Sequence, residues 1–288
     1  MPSVAVVLEY VGTAYRGYQV QEKQAGGLTI QGEVERALFS LTGERIRIVG
    51  AGRTDAGVHA LGQVVSFATA STIPPDRFAP ALNTKLPPDI RAIRSFEVRS
   101  GFNARFDAVS KVYRYLVACG GGDDGRDGRG GRGGDVARVA GAKPGAAILA
   151  GRALVLDEPL PDGALEAMRT AAAALVGTHD FAAFATAGSS ARTTVRTVSR
   201  LEVKRETWPA LGQEIMVFEV QADGFLYKMV RTIVAALLEV GAGRREASWP
   251  AELLVGRDRT KGPATAPPDG LYLVRVDYPE PYTALARP

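Results

Sequence analysis

Apolar positions along this chain switch between a two-residue and a three-to-four-residue spacing, and the switches mark its elements. Val6, Leu8 and Tyr10 alternate among neighbours that are mostly apolar, which predicts a strand over residues 4–10 covered on both faces. Ile30, Val34, Ala37, Leu38 and Leu41 share one face of a helix over 30–41, which Thr29 can cap and Gly43 ends. Strands are expected over 46–49, 62–68 and 90–98, with a short helix near 76–85. Further on, residues 112–119 (VYRYLVAC) read as a strand. A helix over 162–176 is built on Leu165, Met168, Ala172 and Leu175, and strands lie near 195–204 and 214–221. The strongest helical pattern spans 225–239, where Leu226, Met229, Val230, Ile233, Val234, Leu237 and Leu238 make a broad apolar face. A shorter helix over 249–255 and a closing strand over 271–276 complete the pattern.

The strand–helix–strand–strand rhythm occurs twice, around a middle near residue 105. It predicts an α+β fold: two similar domains, 1–105 and 106–288, with mostly antiparallel sheets and helices packed on one side, which side by side make a long sheet with a central cleft between them. After Cys119 the pattern stops, and order is expected to resume near Ala150. The run GGGDDGRDGRGGRGGD is too poor in apolar residues to fold alone, and residues 120–145 are expected to be a flexible segment.

Composition narrows the chemistry. The 288 residues are 46% hydrophobic, with a formal net charge of +4, a tilt that permits a polyanionic partner without demanding one. One cysteine, Cys119, and two histidines argue against an internal disulfide and against a zinc or iron–sulfur site. The opening MPSVAVVLEYVG has neither the charge nor the apolar length of a signal peptide, and no stretch is long enough to span a bilayer, so a cytoplasmic protein without membrane contact is expected.

One loop stands apart. GAGRTDAGVHA, residues 50–60, sets Arg53, Asp55 and His59 among small residues directly before a strand. The plain reading is a well-capped turn, because Thr and Asp oxygens bond nearby backbone N–H groups. The chemical reading is that Arg53 and Asp55, two apart, share a site: an arginine can orient a carboxylate or bind phosphate, and an ionised aspartate can act as nucleophile or base. His59 is either a structural hydrogen-bonding residue or a phosphate contact. In FLYKMVRTIV, Lys228 and Tyr227 fall three and four residues before Arg231, hence on one helix side. Arg231 itself is either a snorkelling residue at a core edge or the partner of a buried carboxylate. Tyr113 and Tyr115 alternate on one strand face, as packing residues or as a surface on which a base could stack. Arg105 and Lys111 add positive charge, and Gln19 can reach out from the first loop. No phosphate-binding glycine signature and no nucleophile elbow occurs.

GAGRTDAGVHALGQV closely resembles the signature of the tRNA pseudouridine synthase A family. VVLEYVGTAYRGYQ, TIQGEVERAL, LNTKLPPDI, GFNARFDAVSKVYRY, GTHDFAAF, VRTV, FLYKMVRTIVAALLEVG and GLYLVRVDYP follow in that family's order, so the resemblance covers nearly the whole chain apart from residues 120–150. It implies an isomerase that converts uridines to pseudouridine at positions 38–40 in the anticodon arm of tRNA, without metal or organic cofactor, usually as a homodimer with tRNA across basic clefts. By the same resemblance Asp55 is the catalytic aspartate, acting as nucleophile or through an initial proton abstraction. Arg53 helps open the RNA and organise the flipped nucleotide, and Tyr113 stacks on the target base. Arg231 pairs with the aspartate, and Leu271 closes the pocket beneath the base. Lys111, Arg105 and Arg114 are expected to contribute to phosphate binding, with Gln19, His59 and Lys228 as further substrate contacts. The chain departs from the family at Tyr18, where tryptophan is common, at Lys228, where histidine is common, and in the segment after Val117. Two alternatives remain open: the same chemistry on another RNA or a small uridine compound in a specialised pathway, and a noncatalytic RNA-binding factor.

Overall fold

The computed structural model describes residues 1–20, 27–119, 146–186, 188, 192–208 and 213–286. The segment expected to be flexible, 120–145, lies outside the described residues. In chain order the elements are β1 (Ser3–Tyr10), α1 (Ile30–Thr42), β2 (Val49–Gly50), β3 (His59–Ala68), α2 (Phe78–Asn83), β4 (Ile90–Val98), β5 (Ser110–Cys119), α3 (Ala146–Leu149), β6 (Leu154–Val155), α4 (Ala164–Ala173), β7 (Gly177–Asp180), β8 (Val195–Trp208), β9 (Gln213–Ala222), α5 (Met229–Gly241), α6 (Trp249–Gly256) and β10 (Leu271–Asp277).

The strands form one mixed sheet in the order β4-β1-β3-β10-β5-β9-β8-β7, with β2 added to β3 and β6 to β5. Neighbours are antiparallel except β3–β10 and β5–β6. The parallel contact at mid-sheet is short: Tyr272 faces His59 and Leu273 faces Ala60. On its other side β10 runs antiparallel to β5, with Leu271 opposite Tyr115 and Leu273 opposite Tyr113. The closing strand therefore stands between the strand that follows the Asp55 loop and the strand that carries Tyr113.

Strand alternation distributes the core. From β5, Tyr113, Tyr115, Val117 and Cys119 enter the main core, while Leu116 and Ala118 turn to the opposite face and meet Leu149, Ala153, Ile215 and Val217 in a smaller cluster. Apolar residues of α1, α2, α4, α5 and α6 all join the main core. α5 is the most enclosed helix, with eleven of its thirteen residues buried. Each large aliphatic side chain so buried contributes about 1.5–3 kcal/mol. α1 begins as expected: Thr29 Oγ1 accepts the Gly32 N–H at 3.2 Å, and Gly43 ends the helix in the left-handed region at φ 71°.

Three expectations need correction, and one strand was not foreseen. The strand over 46–49 shrinks to Val49–Gly50, because α1 takes the backbone of Ile48: Glu35 accepts its N–H at 3.1 Å. β3 starts at His59, three residues early, where its first two residues gain β10 as a partner. β7 has no clear apolar alternation and was not expected; it forms by pairing with β8. The helix expected from 225 begins only at Met229. The Thr186 N–H bonds to the Tyr227 carbonyl at 3.1 Å, and Lys228 sits in the left-handed region at φ 61°. Tyr227 and Lys228 thus precede the helix and do not line up with Arg231 along one side of it. No helix among the described residues is long and apolar enough to cross a membrane.

Candidate active site

The loop between β2 and β3 is fixed from below by polar side chains in the sheet. Gln63, fully buried on β3, donates to the Gly52 carbonyl at 2.8 Å and accepts the Gly52 N–H at 3.4 Å. Tyr10, at the end of β1, shares a hydrogen bond of 2.8 Å with Thr54 Oγ1, and burial pushes its phenol up to about 12. The Thr54 carbonyl accepts the Tyr18 N–H at 3.0 Å, and Val58 N–H closes the turn onto the Asp55 carbonyl at 3.1 Å. Two glycines make this packing possible. Gly17 has φ 94°, and a Cβ there would stand 2.8 Å from the Thr54 carbonyl; a Cβ at Gly50 would collide with the Tyr18 hydroxyl. Tyr18 is thus a buried packing residue wedged beneath the loop.

Above this base the Asp55 carboxylate meets Arg231. Arg231 Nη1 donates to Asp55 Oδ2 at 3.0 Å, with side chains 10% and 26% exposed. Arg231 belongs to the first turn of α5, and its Nε donates to the Ala266 carbonyl at 2.7 Å. The guanidinium is therefore fixed at one edge and presents another edge to the carboxylate. A carboxylate held by a fixed guanidinium keeps one orientation.

The segment before β10 is bound by side chains from three elements. Arg231 donates to Ala266, the Tyr115 hydroxyl to the Pro267 carbonyl at 2.8 Å, and the His59 ring bonds the Asp269 carbonyl at 3.0 Å. His59 Nδ1 accepts the Gly12 N–H at 3.0 Å, so the proton resides on Nε2 and the ring is neutral. Burial lowers its pKa, and the ring stacks on Tyr272 at 4.6 Å. With both nitrogens committed to backbone, His59 is a structural pin and not a phosphate contact.

A cleft of 840 Å³ opens over Asp55, within the roughly 300–1,000 Å³ typical of sites that enclose a small ligand or nucleotide. The structure brings Gln19, Arg53, Asp55, Arg105, Lys111, Tyr113, Lys228, Arg231 and Leu271 to its lining. Tyr113 is 8% exposed and meets Phe225 edge-on at 5.0 Å. Desolvation, then the nearby Tyr10 and Asp55, hold its phenol in the protonated form. Burial lowers the Lys111 pKa, and Arg105 and Arg196 push it the same way. Arg53 is exposed at the rim. Leu271, buried, begins β10.

Arg114 does not reach this cleft. Strand alternation puts it on the face opposite Tyr113, where it pairs with Glu219 at 2.7 Å. Sequence reasoning also missed Gln63, Tyr10, Arg16, Arg47 and Phe225. Gln63 carried a signal, a polar residue at an inward position of an apolar strand. Arg16 and Arg47 bring the basic residues lining the cleft to seven, against Asp55 as the one acidic residue among the described lining. No group of three or more His, Cys, Asp or Glu among the described residues has a metal-holding arrangement.

Residues 6–107 and 171–279 match the sequence model of a family described as tRNA pseudouridine synthase. Three relatives, each named tRNA pseudouridine synthase A, align over nearly their full length. The protein from Syntrophomonas wolfei is 44% identical over 97% of this chain and 99% of its own. That from Acetivibrio thermocellus is 42% identical over 96% and 100%, and that from Shouchella clausii 41% over 98% and 95%.

Proposed function

Because the chain belongs to the tRNA pseudouridine synthase family, we propose that its cleft isomerises uridine to pseudouridine in the anticodon arm of tRNA, at positions 38–40, with Asp55 as the catalytic carboxylate. The observation that carries this reading is the 3.0 Å pair between Arg231 and Asp55 inside a cleft whose other described charged lining residues are all cations. The reaction breaks the N1–C1′ bond of uridine, turns the base, and joins C5 to C1′. C5 loses its proton and N1 gains one, so the net change is an isomerisation. Attack by the carboxylate and proton abstraction by it both need an ionised, oriented oxygen, and Arg231 supports both.

A uracil inside a paired stem is inaccessible to this oxygen, so the nucleotide must leave its stack. Arg53, exposed on the loop rim, is placed to hold the opened strand. Tyr113 offers an aromatic plane and a protonated hydroxyl to the base, and Leu271 supplies an apolar floor. Arg105, Lys111 and Lys228, together with Arg16, suit phosphates along the strand, while Gln19 offers an amide to a base edge or sugar. Seven cations favour a polyanion over a free uridine compound as substrate. In this reading residues 1–105 and 106–288 are two similar units with the cleft between them, the working form is a cytoplasmic homodimer, and no cofactor is used.

Release of tritium from tRNA transcripts labelled at uridine C5 tests the proposal, because C5 loses its hydrogen only when it becomes the glycosidic carbon. Release by the parent protein and none by Asp55→Ala is the expected result. A folded parent protein that releases none overturns it.

A further inference from the structure

The turn before β5 displays an aromatic ring that the chain leaves uncovered. Phe106 is 77% exposed, yet the backbone beneath it is closely fixed. Asn103 Oδ1 accepts the N–H groups of Arg105 and Phe106 at 3.0 and 3.1 Å. Asp107 returns the bond: its carboxylate accepts the Asn103 N–H at 2.8 Å and is held by Arg99 at 2.9 Å. Ala104 ties the turn to the sheet, donating to Ser66 Oγ at 3.0 Å and accepting from the Tyr278 hydroxyl at 2.6 Å. An exposed phenylalanine on a mobile loop means little, but a rigidly presented one is a prepared contact surface.

The neighbours indicate what it contacts. The Arg105 guanidinium carbon lies 5.4 Å from the Phe106 ring centroid, and Arg105 also lines the Asp55 cleft. The ring thus continues a basic surface outward from the site. A nucleotide has a flat base to stack on the ring and a phosphate for the guanidinium beside it. A second copy of this chain, docked by the same patch, would bring the same cations against these. We propose that Phe106, backed by Arg105, is a stacking platform for an RNA base beside the target uridine. The inference rests on the reading of the cleft as a tRNA-modifying site and adds a residue that holds the strand while one nucleotide is out of the stack.

The test measures equilibrium binding of a tRNA transcript, tritium release and sedimentation mass for the parent, Phe106→Ala, Phe106→Leu and Phe106→Trp. All four should fold alike, because the ring makes few contacts within the chain. Ala and Leu should each weaken tRNA binding by about tenfold, with kcat/KM falling in step, while Trp stays within about twofold, as expected for loss and retention of one stacked base. Affinity retained in both Ala and Leu sinks the inference, and so does affinity retained in Leu alone, which would mark an ordinary apolar contact. A lower sedimentation mass in Ala with unchanged tRNA affinity also sinks it, assigning the ring to a contact between copies. If the parent itself releases no tritium, the functional reading fails and this inference with it; variants that bind like an active parent defeat only the stacking claim.

Discussion

Asp55 and Arg231 are 176 positions apart and meet at 3.0 Å, which makes the pair the most informative place to perturb the molecule. Asp55→Ala should abolish C5 tritium release, by at least about a thousandfold, while tRNA binding persists. Arg231→Lys keeps the charge but cannot hold the Ala266 carbonyl and the carboxylate at once. It should lower kcat by roughly ten- to a hundredfold with a smaller change in KM, measured by the same assay. Residue chemistry was legible to different depths. Asp55 and Arg53 stood out as reactive types in a glycine-rich loop, and the pairing with Arg231 came from the family resemblance. Spacing alone left Arg231 between a snorkelling cation and a buried partner, because a contact over such a distance leaves no periodic trace. Arg114 was misplaced for a simpler reason: adjacent strand positions face opposite ways, and Arg114 is one step from Tyr113.

At the scale of elements, period carried most of the fold. α1, β1, β4, β9 and the body of α5 follow from apolar spacing that packing reinforces. The failures lie where a side chain or a distant strand overrides local pattern, as Glu35 does at Ile48 and as the Thr186 bond does at Tyr227. The segment from Ala266 to Asp269 illustrates how elements hold one another, since α5, β5 and β3 each send it one donor. Tyr115→Phe removes the donor to Pro267 and should cost about 1–2 kcal/mol in denaturant unfolding. His59 adds a pH dependence. Its folded pKa is below the ordinary 6.5, so as pH falls below that value the unfolded chain takes up a proton that the folded chain refuses. Stability should therefore decline from pH 6.5 downward, until the depressed folded pKa is passed, and this part of the decline should be missing in His59→Asn when melting is followed against pH.

For the whole molecule, seven cations around one carboxylate make an electrostatic funnel. tRNA affinity should fall steeply as salt rises. Replacing Lys111 or Arg16 by methionine should weaken binding across all tRNA sequences and reduce the slope of log K against log salt by about one unit if that side chain meets a phosphate. The long sheet was anticipated from the repeated order of elements. The position of β10 was not: a strand late in the sequence enters the middle of the sheet, and nothing in its own seven residues announces which neighbours it will find.

That late entry has a consequence for the order in which the molecule is made. Asp55, Gln63 and most of the loop scaffold are synthesised long before Arg231, and Leu271 follows later still. At synthesis rates of 5–20 residues per second, the 176 positions between Asp55 and Arg231 take roughly 10–35 s to appear. Through that interval the nascent chain holds its carboxylate without a counter-cation and β3 without its parallel neighbour. Reactivity thus arrives as one of the later events of biosynthesis, after the scaffold that confines it.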